Sequence, residues 1–123
     1  MIVGTPYSPQ KAFISFAREF FESLARKDYA AALSELDTSE SRWSKEVLSE
    51  RIASALGRGV NIASAVNFTR SAEPQLSEPE PGHFELSHRI PISSGWSEAR
   101  ANFRFVRKPS TEYFHVTLSG FTP

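Results

Sequence analysis

The sequence contains no cysteine, and that one absence removes disulfide staples, thiol nucleophiles and thiolate metal sites together. It carries no surplus of either charge, because 14 basic residues balance 14 acidic ones. Without clustered excess Lys and Arg, the footprint expected of a nucleic-acid-binding chain is missing, as is a basic segment for an anionic membrane surface. No stretch approaches the roughly 18 apolar residues of a membrane-spanning helix. The opening Met1-Ile2-Val3-Gly4-Thr5-Pro6 has neither a basic region nor an apolar run, so it does not read as a secretory signal. These absences fit a cytoplasmic protein with no membrane or nucleic-acid partner.

Metal and phosphate motifs are missing too. His83 and His88 stand five apart, which on a strand puts them on opposite faces, and His115 falls on a polar phase. Gly57-Arg58-Gly59 follows an expected helix, whereas a phosphate loop opens one. No metal or other cofactor is expected.

What the chain does have is two apolar periods. A length of 123 residues suits one domain with its own core. From about residue 8 to 57 the apolar residues recur at three and four, and from about 60 to 121 they recur at two. Helices followed by strands predict an α+β domain, with three helices on one face of a four-stranded antiparallel sheet. A parallel sheet would need helices between its strands. Residues 1–7 are left as an N-terminal arm.

Ser8 is the expected cap of the first helix, with Pro9 at its first position, where the missing N–H costs nothing. Phe13, Phe16, Ala17, Phe20, Phe21 and Leu24 form its apolar stripe, which belongs in the core. Arg26-Lys27-Asp28 reads as a tight turn, and Asp28 as the cap of a second helix over Tyr29 to Leu36. Thr38 to Arg42 reads as a polar loop. Ser44 caps a third helix, Lys45 to Leu56, with Trp43 and Leu48 in the positions of a hydrophobic staple. Val47, Leu48, Ile52 and Leu56 give this helix its apolar face, and Gly57 stops it.

The alternation predicts strands near Val60–Thr69, Phe84–Ile92, Glu98–Phe105 and Tyr113–Ser119. Between the first two, Pro74, Pro79 and Pro81 mix with Glu73, Glu78 and Glu80, which predicts an exposed acidic loop. Only the apolar face of such a sheet can receive the helices. The other face carries Asn67, Thr69, Glu85, Arg89, Glu98, Arg100, Arg104, Tyr113 and His115.

Three features together resemble the NTF2-like (cystatin-like cone) superfamily, and in particular its small bacterial members. They are the Phe-rich first helix, the opening Arg26-Lys27-Asp28-Tyr29-Ala30-Ala31-Ala32-Leu33, and Trp43 ahead of the third helix. The strands Trp96–Arg107 and Tyr113–Phe121 add to the likeness. The resemblance implies a curved sheet with a cone-shaped pocket. The chain departs from many members in having no room for a hairpin between its second and third helices. The superfamily holds isomerases, dehydratases and many non-enzymatic proteins, so the fold does not settle the activity.

His88 is the one acid–base candidate, in phase with Phe84, Leu86, Ile90 and Ile92. Its alternative role is a core histidine satisfied by a hydrogen bond. Ser64 is a candidate partner, and Tyr29 and Trp43 are candidates to line the same pocket. Catalytic members of the superfamily use carboxylates, tyrosine or a His–Asp pair inside the cone. Here the only aspartates, Asp28 and Asp37, stand at helix ends, and Glu85 and Glu98 lie on the polar phase. The reading is therefore a non-enzymatic domain that binds a small apolar ligand or a protein partner. Its alternatives are an isomerase- or dehydratase-type enzyme using His88, and an immunity-type protein whose acidic loop meets a basic toxin. On the polar face Glu98, Arg100, Arg104, Tyr113 and His115 are candidates for a homodimer interface.

Overall fold

The computed structural model describes residues 2–3, 9–37, 43–111 and 113–123. Helix α1 (Pro9–Ala25) follows the phenylalanine stripe, with Phe13, Phe16, Phe20, Phe21 and Leu24 all buried. The expected cap Ser8 lies outside the described residues. At the far end Lys27 adopts a left-handed φ of 58°. The Lys27 amide then reaches the Leu24 carbonyl at 2.9 Å and the Asp28 amide reaches the Ser23 carbonyl at 2.9 Å. These paired bonds are a Schellman stop, which satisfies the last carbonyls of α1. The Asp28 side chain accepts the Ala31 amide at 3.1 Å and starts helix α2 (Tyr29–Ser34), slightly shorter than expected. The expected loop Thr38 to Arg42 lies outside the described residues. Ser44 accepts the Val47 amide at 3.2 Å and opens helix α3 (Lys45–Leu56), which ends at Gly57 with φ 97°.

The sheet order is β1-β5-β4-β3-β2, antiparallel throughout, from β1 (Ile2–Val3), β2 (Gln75–Glu80), β3 (His83–Ile92), β4 (Gly95–Arg107) and β5 (Tyr113–Thr122). The sheet does not close, so β1 and β2 are its edges. Part of the expected N-terminal arm is thus an edge strand, with Ile2 opposite Phe114.

Four long antiparallel strands match the expected number, but one of them lies elsewhere. The stretch near Val60–Thr69 is irregular, touching the sheet through the bridge of Ile62 to Ile92 and the Ala63 amide on the Pro91 carbonyl at 3.0 Å. Burial here does not follow the expected inner phase of Val60, Ile62, Ser64, Val66 and Phe68: the buried residues are Ile62 and Ala65, three apart, a spacing no flat strand gives one face. Val66, in the expected inner phase, is 80% exposed. The missing strand is the segment expected to be an acidic loop. Gln75–Glu80 pairs with β3 through Leu76 opposite Leu86, and its register shifts between Ser77 and Glu80. An edge strand tolerates Pro79 because its outer side needs no donor, and its charges discourage pairing with another chain.

The inner face buries Leu86 and Ile90 of β3, Ala101, Phe103 and Phe105 of β4, and Phe114, Val116 and Leu118 of β5. Phe13 stacks on Phe105 with centroids 4.1 Å apart and meets Phe114 edge-on at 5.0 Å. Burying each such ring contributes roughly 1.5–3 kcal/mol. β5 contains a bulge: Phe103 faces Leu118, yet Asn102 faces Gly120, leaving Ser119 as an extra residue. One extra residue inverts the alternation, so Phe121 lies on the same face as Leu118.

Candidate functional site

The four residues expected around one pocket lie in separate places. His88 is fully buried on the inner face of β3, as its phase predicts. Its Nδ1–H donates to the Arg89 carbonyl at 2.7 Å, and the buried Nε2 has no partner among the described residues. The ring packs against Phe21 at 5.3 Å and Trp96 at 5.4 Å. Burial pushes the imidazole down from 6.5 to about 4. The Arg89 carbonyl acts in the opposite sense, and the charges of Arg18 and Arg100 add to the lowering. His88 is therefore neutral at physiological pH.

Ser64 does not meet His88, because the strand that would have carried it does not form. It is exposed, and its hydroxyl donates to Glu22 Oε1 at 3.0 Å. The same carboxylate oxygen accepts the Ala65 amide at 3.0 Å, so Glu22 anchors this irregular segment to α1. Tyr29 lines a cavity of about 250 Å³ with residues of α1 and α3. Trp43 lines a larger groove of about 580 Å³. His88 is on the wall of neither.

The larger groove runs between α3 and the edge of β5. Residues Thr117 to Phe121 form one wall, and Val47, Arg51, Ser54 and Ala55 of α3 form the other. The α3 residues follow the three-four spacing on a stripe beside the core residues Leu48 and Ile52. Helix α3 thus turns an apolar stripe to the core and a mixed one to the groove, where Val47 and Ala55 alternate with Arg51 and Ser54 and Val47 stays 38% exposed. At the closed end the indole N–H of Trp43 donates to the Leu118 carbonyl at 2.9 Å, and its ring meets Phe121 edge-on at 5.9 Å.

Asp37 closes the β5 edge beside Trp43. Its amide donates to the Val116 carbonyl at 2.8 Å, and its Oδ2 accepts the Val116 amide at 2.7 Å. One residue thereby does the work of a neighbouring strand. His115 Nδ1 lies 3.8 Å from Asp37 Oδ1. Burial works against ionisation of Asp37, but the Val116 amide and nearby positive charge, His115 included, outweigh it and hold the carboxyl below its usual range. Arg51 is the groove's cation, and it makes no ion pair or hydrogen bond with any described residue.

Comparison of the chain with protein-family models, with curated proteins and with solved structures returned no match. The groove and His88 are therefore judged on their own chemistry.

The polar sheet face balances its charges internally. Glu85 and Arg104 stand opposite in register and pair at 3.3 Å. Arg89 pairs with Glu73 at 3.2 Å and lies 3.9 Å from Glu98. Arg100 donates to the Ser87 and Glu73 carbonyls, each at 3.1 Å. Of the interface candidates, Glu98, Arg104 and Tyr113 stay exposed, and Tyr113 is the apolar one among them, at 46% exposure. The acidic segment is likewise engaged: Glu73 holds Arg89, and Glu78 accepts the Gly82 amide at 3.0 Å. Among the described residues no three His, Cys, Asp or Glu gather as a metal site, and no helix is long and apolar enough to cross a membrane.

The groove is hidden in the sequence although its residues are not. Val47 reads as core because it neighbours Leu48, Trp43 reads as a staple, and Asp37 reads as a helix end. Adjacent Val47 and Leu48 widen the apolar arc of α3 beyond one contact face, and that is the available signal.

Proposed function

We propose that this chain is a non-enzymatic binding domain of the NTF2-like kind, and that its site is the groove between α3 and β5. The observation that carries the reading is an open groove of about 580 Å³ with Trp43, Val47, Leu118 and Phe121 on its walls. That volume is within the usual range for small-molecule sites, and the apolar side chains stand beside Asp37, Arg51, Ser54, Thr117 and Ser119, so the lining can meet both an apolar body and a polar group. The enzyme alternative needs solvent and substrate beside His88, and His88 is 0% exposed. The polar face supports the reading from the other side, since its ion pairs are satisfied within the face. Kinship with the NTF2-like cone draws support from three helices packed on an unclosed antiparallel sheet.

The test uses the neutral dye N-phenyl-1-naphthylamine, whose emission rises in apolar sites. Saturable enhancement with the wild type and its loss in Ala55→Trp, which fills the groove, is the expected result. An unchanged thermal melt for that variant separates blocking from unfolding. Undiminished dye binding by a folded Ala55→Trp would remove the groove as the site.

A further inference from the structure

We propose that the groove takes an apolar monocarboxylate, with the carboxylate on Arg51 and the hydrocarbon body along Trp43, Val47 and Phe121. The inference rests on the groove being the binding site and adds the chemical class of its occupant. It comes from a mismatch of charge within the groove. The carboxylate of Asp37 is already committed, to the Val116 amide at 2.7 Å and to the neighbourhood of His115 at 3.8 Å. Arg51 has no such commitment to any described residue. Among the described side chains lining the groove, Arg51, one helical turn beyond Val47 and one before Ser54 and Ala55, is the charge that no described residue answers. The guanidinium fork matches a carboxylate in a bidentate fashion, and Ser54 lies three residues further along the same helix face as an additional hydroxyl.

A free acid fits better than a peptide ending in a carboxylate. A peptide in such a groove would add to the β5 edge as a strand and draw on its backbone groups. Along this edge the Val116 amide and carbonyl are taken by Asp37, and the Leu118 carbonyl is taken by the Trp43 indole. The backbone ladder is therefore interrupted at two consecutive edge-facing positions, and the bulge at Ser119 bends the strand beyond them. An aliphatic acid asks nothing of that backbone.

The experiment measures displacement of N-phenyl-1-naphthylamine from the wild type, Arg51→Gln and Arg51→Lys by octanoate, by 1-octanol and by the dipeptide acid N-acetyl-Ala-Leu. Arg51 is exposed and unpartnered, so both variants should fold. The expected result is that Arg51→Gln weakens octanoate about tenfold, the usual order for a hydrogen bond to a charged group, while 1-octanol is unaffected. Arg51→Lys should recover part of the loss, since it restores charge without the fork. If octanoate and 1-octanol both displace the dye and Arg51→Gln changes neither, the acid inference fails and the groove remains the site. If the dye binds but the dipeptide acid displaces it more tightly than octanoate through Arg51, the occupant is a peptide end and the inference is overturned. Should the wild type bind neither dye nor octanoate, the groove reading and this inference fall together.

Discussion

Acidification should expose how His88 is held. The ring is fully buried, donates through Nδ1 and keeps Nε2 unprotonated among Phe21 and Trp96. Its folded value near 4 lies below the unfolded value of 6.5, so between the two the unfolded chain binds the extra proton. Stability therefore rises with pH across that window, and is lost as pH falls from 6.5 towards 4. The slope is at most about 1.4 kcal/mol per pH unit, which makes the loss about 1.4 kcal/mol by pH 5.5 and about 2.5 kcal/mol by pH 4.5. Against the 5–15 kcal/mol typical of a domain, roughly, that is large enough to measure. Most carboxylates titrate below this range, and a His88→Phe variant corrects for those that do not. Urea unfolding of both proteins at several pH values, followed by tryptophan emission, gives the comparison. The wild type should lose stability relative to His88→Phe as pH falls from about 7 to about 4.5, by roughly the magnitudes above. A difference that stays flat over the range would refute a sealed, neutral His88. Ring ¹⁵N shifts offer an independent check, since the protonated nitrogen at pH 6 should be Nδ1.

Three further perturbations probe the β5 edge, the end of α1 and the core. Asp37→Ala should cost about 2 kcal/mol at neutral pH, the usual order for a charged group's hydrogen bond, with the Val116 amide left unpaired. Because the folded carboxyl lies below its unfolded value of 3.8, its contribution is present above that value, and the gap to wild type should narrow as denaturant midpoints are taken at lower pH. Lys27→Gly should raise stability in the same assay by up to about 1 kcal/mol, less the Asn61 contact, because glycine accepts the left-handed φ of 58° without strain. Phe13→Ala should cost about 3–5 kcal/mol in the same assay, since its ring fills the junction between Phe84, Phe105 and Phe114. A cost near 1 kcal/mol for Phe13 would mean the core does not close around it.

The helical half is legible in the sequence because its information is local. Asp28, Ser44 and Gly57 mark helix boundaries through bonds that span a few residues, Pro9 marks one by needing no bond, and each described cap has the partner its position predicts. The phases of β3, β4 and most of β5 are legible for a similar reason, since charged or polar residues alternate there with an inner phase that includes Phe84, Leu86, Ile90, Phe103, Phe105, Phe114, Val116 and Leu118. The segment from Val60 to Glu80 misleads because both of its signals are weak. In Val60–Thr69 Ser64 interrupts the inner phase and Ala63 and Ala65 make the outer phase partly apolar, and three prolines disguise an edge strand. Pairing with β3 decides the second case, and the Glu22 carboxylate settles the first by binding Ser64 and Ala65 across more than forty positions.

Residue type and short-range periodicity are enough to set the class of the fold, the helix ends, the burial of His88 and the absence of thiol chemistry. None of these needs knowledge of distant partners. Packing between elements had to decide which strand stands at the β2 edge, that Ser64, Tyr29, Trp43 and His88 share no pocket, and that a groove opens between α3 and β5. Those outcomes depend on contacts such as Trp43 with Leu118 and Asp37 with Val116, which lie 75 and 79 positions apart. Side-chain period fixes the face a residue presents, but the packing of elements fixes what that face meets.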